Sequence, residues 1–200
     1  MNPWRVKSRL RSTLWPWRFG RLVVYVGLGL LPWLVLQAQT TVAPEYNVKA
    51  ALLTLFTRFT TWPTNTFAAT NSPIVIGVLG ADPLGDVLVK TAACQSGERP
   101  LQVRHLTDPK AAEGCQLVFI SRAEEKHELE WVAALRGKPI LIVGESGHTL
   151  ERGGVLEFEI VDGRVRFNVS WLALKEADLK ISSQMLQSAQ KIFKTREAMH

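Results

Sequence analysis

Gly144-Glu145-Ser146-Gly147-His148 gathers a carboxylate, a hydroxyl and an imidazole within five residues. A nucleophile elbow reads G-x-S-x-G, and its second Gly would stand at position 148, where this chain has His. A His two residues after the Ser is also poor geometry for a base, so a hydrolase working through Ser146 is the weakest reading. Gly77-x-x-Gly80-x-x-x-x-Gly85 spans the passage from a strand-like run to a helix-like one, a context that can cradle phosphate. The pattern lacks G-K-[ST] and is not G-x-G-x-x-G, and Asp82 and Asp86 would repel an anion. A tight turn is the plainer reading. His105, His127, His148 and His200 show no metal-ligand spacing with Asp, Glu or Cys. His127 sits among Glu124, Glu125 and Glu128, as on a solvated helix face. Glu157 and Glu159 alternate along a strand and share one face, expected to be the solvent face of an edge hairpin. No catalytic, cofactor or metal site is expected.

The two cysteines say more. Cys94 ends the helix after the first long strand and Cys115 begins a later strand, so both fall at one end of the fold. In an oxidising compartment an intramolecular Cys94–Cys115 disulfide is expected, worth about 3 kcal/mol in the chain-entropy view. The alternative is two unpaired small hydrophobes.

These residues are positioned by alternating strands and helices. Residues 45–60 read as a helix, with Leu52, Leu55, Phe56 and Phe59 in the i, i+3, i+4, i+7 pattern. Tyr46 and Leu53 extend its apolar surface beyond one stripe, so its own fold or another chain must cover it. Ile74–Leu79 is a strand buried on both faces. Asp82-Pro83 signals a helix through Ala93. Leu101–Leu106, Cys115–Ile120 and Ile140–Val143 are further strands. Asp108-Pro109 caps a short helix, and Ser121-x-x-Glu124 opens another to about Arg136. Asp162-Gly163 joins two strands as a hairpin. Helical stretches over 170–177 and 183–193 close the chain. The fold class is α/β: a three-layer α/β/α sandwich, mainly parallel, with a C-terminal antiparallel hairpin at its edge.

The charge is an address label. The chain carries 24 Lys and Arg against 18 Asp and Glu. Six bases (Arg5, Lys7, Arg9, Arg11, Arg18, Arg21) precede the first acid, Glu45, so the remainder is formally neutral. An apolar run over 22–36 follows that basic stretch. This is the pattern of a secretory signal peptide over 1–38, with cleavage expected after Ala38; the alternative is an uncleaved anchor helix, for which a run of fifteen residues is short. Residues 39–200 then form one exported domain with its core at 45–193, without stable membrane insertion after cleavage. A neutral body removes the electrostatic argument for nucleic acid.

The chain resembles the YfiR-like periplasmic proteins. The matching stretches are Glu45–Leu53 with Phe56, Phe59 and Trp62-Pro63, then Ile74–Gly80 with Asp82-Pro83. Gly97–Pro100, Cys115–Ser121, Leu141–Gly144, Gly153-Gly154, Gly163–Phe167 and Ile181–Leu186 follow in the same order. Phe is frequent in the family where this chain has His148, and Asn where it has Ser170. The resemblance implies a non-enzymatic regulator that binds the periplasmic sensor region of a membrane-bound diguanylate cyclase or sensor kinase and holds it inactive. Release raises cyclic-di-GMP and favours biofilm. It also implies a homodimer and disulfides. Tyr46, Leu53 and Trp131 are candidate partner or dimer contacts. Trp131 lies off the stripe of Leu129, Val132 and Ala133; a broader core stripe is the plainer reading. A second function is a periplasmic small-molecule binder, its pocket at the carboxyl ends of the strands near Gly80, Ser121 and Gly144.

Overall fold

A computed structural model describes residues 42–95, 97 and 99–195. The expected signal peptide with its cleavage point, Glu98 and His200 lie outside the described residues. In chain order the elements begin with α1 (Val42–Phe59), β1 (Thr60–Thr61), β2 (Ile74–Leu79), α2 (Asp86–Cys94) and β3 (Leu101–Leu106). Next come β4 (Leu117–Ile120), α3 (Glu125–Leu135), β5 (Leu141–Gly144), α4 (Thr149–Arg152), β6 (Leu156–Val161) and β7 (Arg164–Ser170). The last are α5 (Trp171–Glu176), β8 (Lys180–Ile181), α6 (Ser183–Ser188) and β9 (Lys191–Phe193).

A seven-stranded sheet runs in the order β3-β2-β4-β5-β6-β7-β9, parallel except for the β6–β7 hairpin. β1 and β8 form a separate antiparallel pair. Strand residues alternate between faces, and each face builds its own core. Ile76, Val78, Leu117, Phe119, Leu141 and Val143 pack under α1, α2, α5 and α6. Val75, Leu79, Val118, Ile120 and Ile142 pack under α3 and the short turn that carries Ala112. This is the expected three-layer α/β architecture. Phe56 anchors the first core, with ring centroids 5.8 Å from Phe158 and 5.0 Å from Phe167.

Several local expectations shift. α1 starts at Val42, and Pro44 sits in its first turn, where the missing N–H has no intrahelical partner to lose. The Asp82 carboxylate accepts from the N–H groups of Leu84 and Gly85, making a turn that delays α2 to Asp86. Asp108 caps its short helix as expected, accepting from Lys110 and Ala111 N–H. The hairpin turn has φ 51° at Asp162 and 69° at Gly163, the two positive values that a tight primed turn demands. The helix expected over 183–193 stops at Ser188. Gln190 N–H donates to Phe167 O, and Lys191–Phe193 pairs parallel with β7. The hairpin is therefore not the sheet edge; β9 is.

Candidate functional site

Every strand from β2 to β6 is parallel, so their carboxyl ends meet on one rim, and there the chain buries charge. Lys49 on α1 is 1% exposed. Its ammonium pairs with Glu145, which directly follows β5 and is also 1% exposed, and with Glu45 one turn back. The Glu145 carboxylate further accepts from Tyr46 OH at 3.2 Å and from Arg122 N–H at 2.9 Å. Burial, reinforced by the Glu145 charge and hydrogen bond, pushes the Tyr46 phenol up to about 12.

A second buried carboxylate, Glu128 on α3, pairs with Arg152 and accepts from Ser146 Oγ at 2.6 Å and Thr149 Oγ1 at 2.6 Å. The Thr149 N–H donates to Glu157 at 2.7 Å. Glu157 is 8% exposed rather than solvent-facing, because α4 covers it. Its burial outweighs that hydrogen bond and raises its pKa. The Ser146 hydroxyl thus donates its hydrogen bond to a carboxylate, while His148 Nδ1 lies 3.2 Å from Glu151 Oε2. Among the described residues no imidazole is hydrogen-bonded to Ser146, and the arrangement is a polar plug.

At the same rim, side chains of the protein itself fill the turns beside Gly80, Ser121 and Gly144. Ser121 Oγ donates to Ala81 O at 3.0 Å, and Glu124 Oε1 accepts from Ala81 N–H at 2.9 Å. The expected capping box is diverted, its two members clamping the turn after β2. That hydrogen bond, with a smaller contribution from His127, lowers the Glu124 pKa. A carboxylate therefore occupies the turn where a phosphate would sit. Gly144 is packed against Thr149 and Glu128 in the same way. Among the described residues, no three His, Cys, Asp or Glu side chains gather as a metal-binding group.

The candidate contacts separate. Leu53 is 0% exposed within the first core, so it offers nothing to a partner; α1 rotates it inward beside Ala50 and Phe56. Tyr46 is half-buried and tied to Glu145. Trp131 is half-buried, packs against the second core and stacks on His127 at 5.4 Å between centroids. Its neighbour Leu129 is the exposed one. No motif marks Lys49, Glu128 or Arg152, and the motif that contains Glu145 assigns it no partner. The signals were a lone Lys within an apolar helix and a Glu immediately after a fully buried strand.

Cys94 and Cys115 are free thiols, the first exposed and the second buried. They share an end of the sandwich but not a face. α2, which carries Cys94, packs with α1 on one side, while Cys115 lies in the opposite core beside Gly77. Burial raises the Cys115 thiol pKa. A maleimide should therefore label Cys94 in the folded, reduced protein and reach Cys115 only on unfolding. A linked 94–115 peptide in non-reducing mass spectrometry of exported protein is the result that would instead show the bridge.

At the opposite rim, where β2 and β3 begin, a cleft of about 770 Å3 opens between Arg58, Trp62, Phe67 and Arg99. Arg99 stacks over Phe67 at 4.0 Å and donates to Ser72 O at 2.8 Å. Thr60 lines the cleft, and its buried Oγ1 has no hydrogen-bond partner.

α1 has an unusual polarity. It buries Lys49, Thr54 and Thr57 and turns Val48 and Leu55 outward at 46% and 36% exposure. Ala51 is exposed between them, and α2 alongside exposes Val89 at 47%. Buried polar groups and exposed apolar rows are the informative departures from ordinary burial.

Comparison with known proteins extends this picture. Residues 46–190 match the protein family described as YfiR/HmsC-like. No curated protein matches the chain. Among solved structures, a conserved domain protein from Vibrio cholerae O1 biovar eltor is similar at 12% identity and TM-score 0.47, over 59% of this chain and 54% of that one. The ABC domain in complex with L-Trp from Streptococcus pneumonia is similar at 9% identity and TM-score 0.52, over 72% of this chain and 60% of that one. This chain thus spans less than two thirds of either, and the second likeness is one of fold alone.

Proposed function

Because this chain belongs to the YfiR/HmsC-like family, we propose that it is an exported, non-catalytic signalling protein. It binds the periplasmic sensor region of an inner-membrane diguanylate cyclase and holds it inactive, so setting cyclic-di-GMP and biofilm formation. The observation that carries this reading is the α1 face. A helix that places Lys49 in its own core and Val48 and Leu55 outside has an apolar row to cover. The homodimer belongs to the same proposal. Its test is co-expression with the candidate cyclase, followed by pull-down from solubilised membranes. Wild type should retain the cyclase, and Val48→Asp/Leu55→Asp should lose it while keeping its circular dichroism. Equal retention by the double variant, or no cyclase with wild type, overturns it.

The cleft at the amino rim favours a second reading, a small-molecule binder feeding a membrane sensor. Arg58, Arg99 and the unpartnered Thr60 Oγ1 suit a small organic anion. A ligand that binds only the folded state at a hundred times its Kd adds about 2.7 kcal/mol of stability. A thermal-shift screen of small organic acids should find one that Arg58→Met no longer answers. A flat screen removes this reading.

A further inference from the structure

On the sheet face opposite α1, the β6-β7-β9 end carries a recess of about 190 Å3. The register sets Glu157, Asn168 and Lys191 in one row, Glu157 opposite Asn168 and Asn168 opposite Lys191. Glu159 lies one step along the same face of β6, and Leu150 and Phe193 wall the recess with apolar surface.

Asn168 is 6% exposed. Its Nδ2 donates to Glu159 Oε2 at 2.9 Å, which fixes the amide so that Oδ1 is the free acceptor. That buried Oδ1 has no hydrogen-bond partner. A buried acceptor without a donor costs about 1–3 kcal/mol, so a group that supplies one is favoured by that recovery. The polar wall thus consists of three carboxyl groups, those of Glu157, Glu159 and the Glu151 that meets His148, and an amide oxygen, all acceptors, against the Lys191 cation. What complements it is a donor without acceptors that carries positive charge. A primary ammonium has three donors and no acceptor. A divalent metal is disfavoured, since among the described residues no three carboxylate, His or Cys side chains converge as a metal-binding group.

We propose that the recess bounded by Glu157, Glu159 and Asn168 is a binding site for a primary alkylammonium group, whose N–H donates to Asn168 Oδ1 while its charge is balanced by the carboxyl groups of Glu157 and Glu159. The ammonium comes from a free amine or from a lysine side chain of another protein. The site lies on the face opposite α1 and does not depend on what α1 meets.

The test titrates the 15N-labelled full chain with n-butylammonium and, separately, with n-butanol. The ammonium should shift the Asn168 side-chain amide and the Phe193 backbone amide, and butanol should not. Glu159→Gln keeps the acceptor for Asn168 Nδ2 but removes charge, and should weaken binding about fivefold. Lys191→Met removes the competing cation and should strengthen it by a similar factor. Lys191 is exposed and Glu159 partly buried, and circular dichroism checks the folding of both variants. Two further arms, 1,4-diaminobutane and an N-acetyl-lysine amide, separate the free amine from the protein side chain. Equal shifts with butanol, no shift with any amine, or an affinity unchanged in Glu159→Gln overturns the site. Tighter binding of an N-acetyl-arginine amide overturns the ammonium assignment.

Discussion

Replacing Lys49 by Met is expected to destabilise the protein by about 3–5 kcal/mol, the usual cost of breaking a buried ion pair from one side. Lys49 and Glu145 are each 1% exposed, so the substitution strands a carboxylate away from water. Tyr46 OH and Arg122 N–H remain as donors to it, and they are too few to replace a full charge. The Lys49 ammonium also lies 4.7 Å from the Tyr46 ring centroid and 5.9 Å from that of Phe158, contacts Met keeps only in part. Urea unfolding should show a lower midpoint with an unchanged slope. The double variant Lys49→Met/Glu145→Leu should recover most of the loss, because both charges leave together. A single-variant cost under about 1 kcal/mol would mean the pair is hydrated and contributes as a surface bridge does.

Gly144→Ala should be nearly as severe. A Cβ at Gly144 would overlap Thr149 Oγ1 and come within 2.6 Å of Glu128 Oε1. Thr149 is 0% exposed and is held by backbone and side chain at once, its N–H to Glu157 and its hydroxyl to Glu128. It cannot step aside without breaking both bonds. Overpacking costs about 1–3 kcal/mol, and a buried acceptor left unsatisfied about 1–3 more. The checkable outcome is a melting temperature lowered by several degrees, with faster hydrogen exchange at the α4 amides and little change at β2 or β3. A uniform loss across the sheet, or none, would show that α4 does not depend on this contact. The restriction at Gly144 is therefore steric and local to the plug, not the strained elbow that its flanking residues imitate.

The plug also shows where reading along the chain loses sight of the fold. Ser121 and Glu124 have the spacing of a capping box, yet both are spent on Ala81, 40 and 43 residues earlier. Lys49 finds Glu145 across 96 residues. No periodicity reports such a partner, because a hydrogen bond is chosen by distance in space and the helix start can be satisfied in other ways. Glu157 looked solvent-facing because alternation along β6 marks a face without saying what lies over it. The covering residues, Thr149–Arg152, form a helix too short to leave an apolar period.

Features governed by neighbouring residues were legible in the sequence. The continuous apolar run of Ile74–Leu79 and the strand-like stretch of Leu101–Leu106 became parallel strands with those same bounds. Asp162-Gly163 became a hairpin turn because the positive φ it needs is a property of two residues. Alternating strand and helix sufficed for the layered α/β class and, with the ordered motifs, for the family. The tertiary structure decided the rest. It put Cys94 and Cys115 on opposite faces of the sheet, rotated Leu53 into the core and Val48 and Leu55 out of it, and drew 191–193 into β9. Each of these outcomes depends on packing and pairing between segments far apart in the chain. A one-dimensional pattern records which surfaces must be buried or paired, and the assembled layers settle against what.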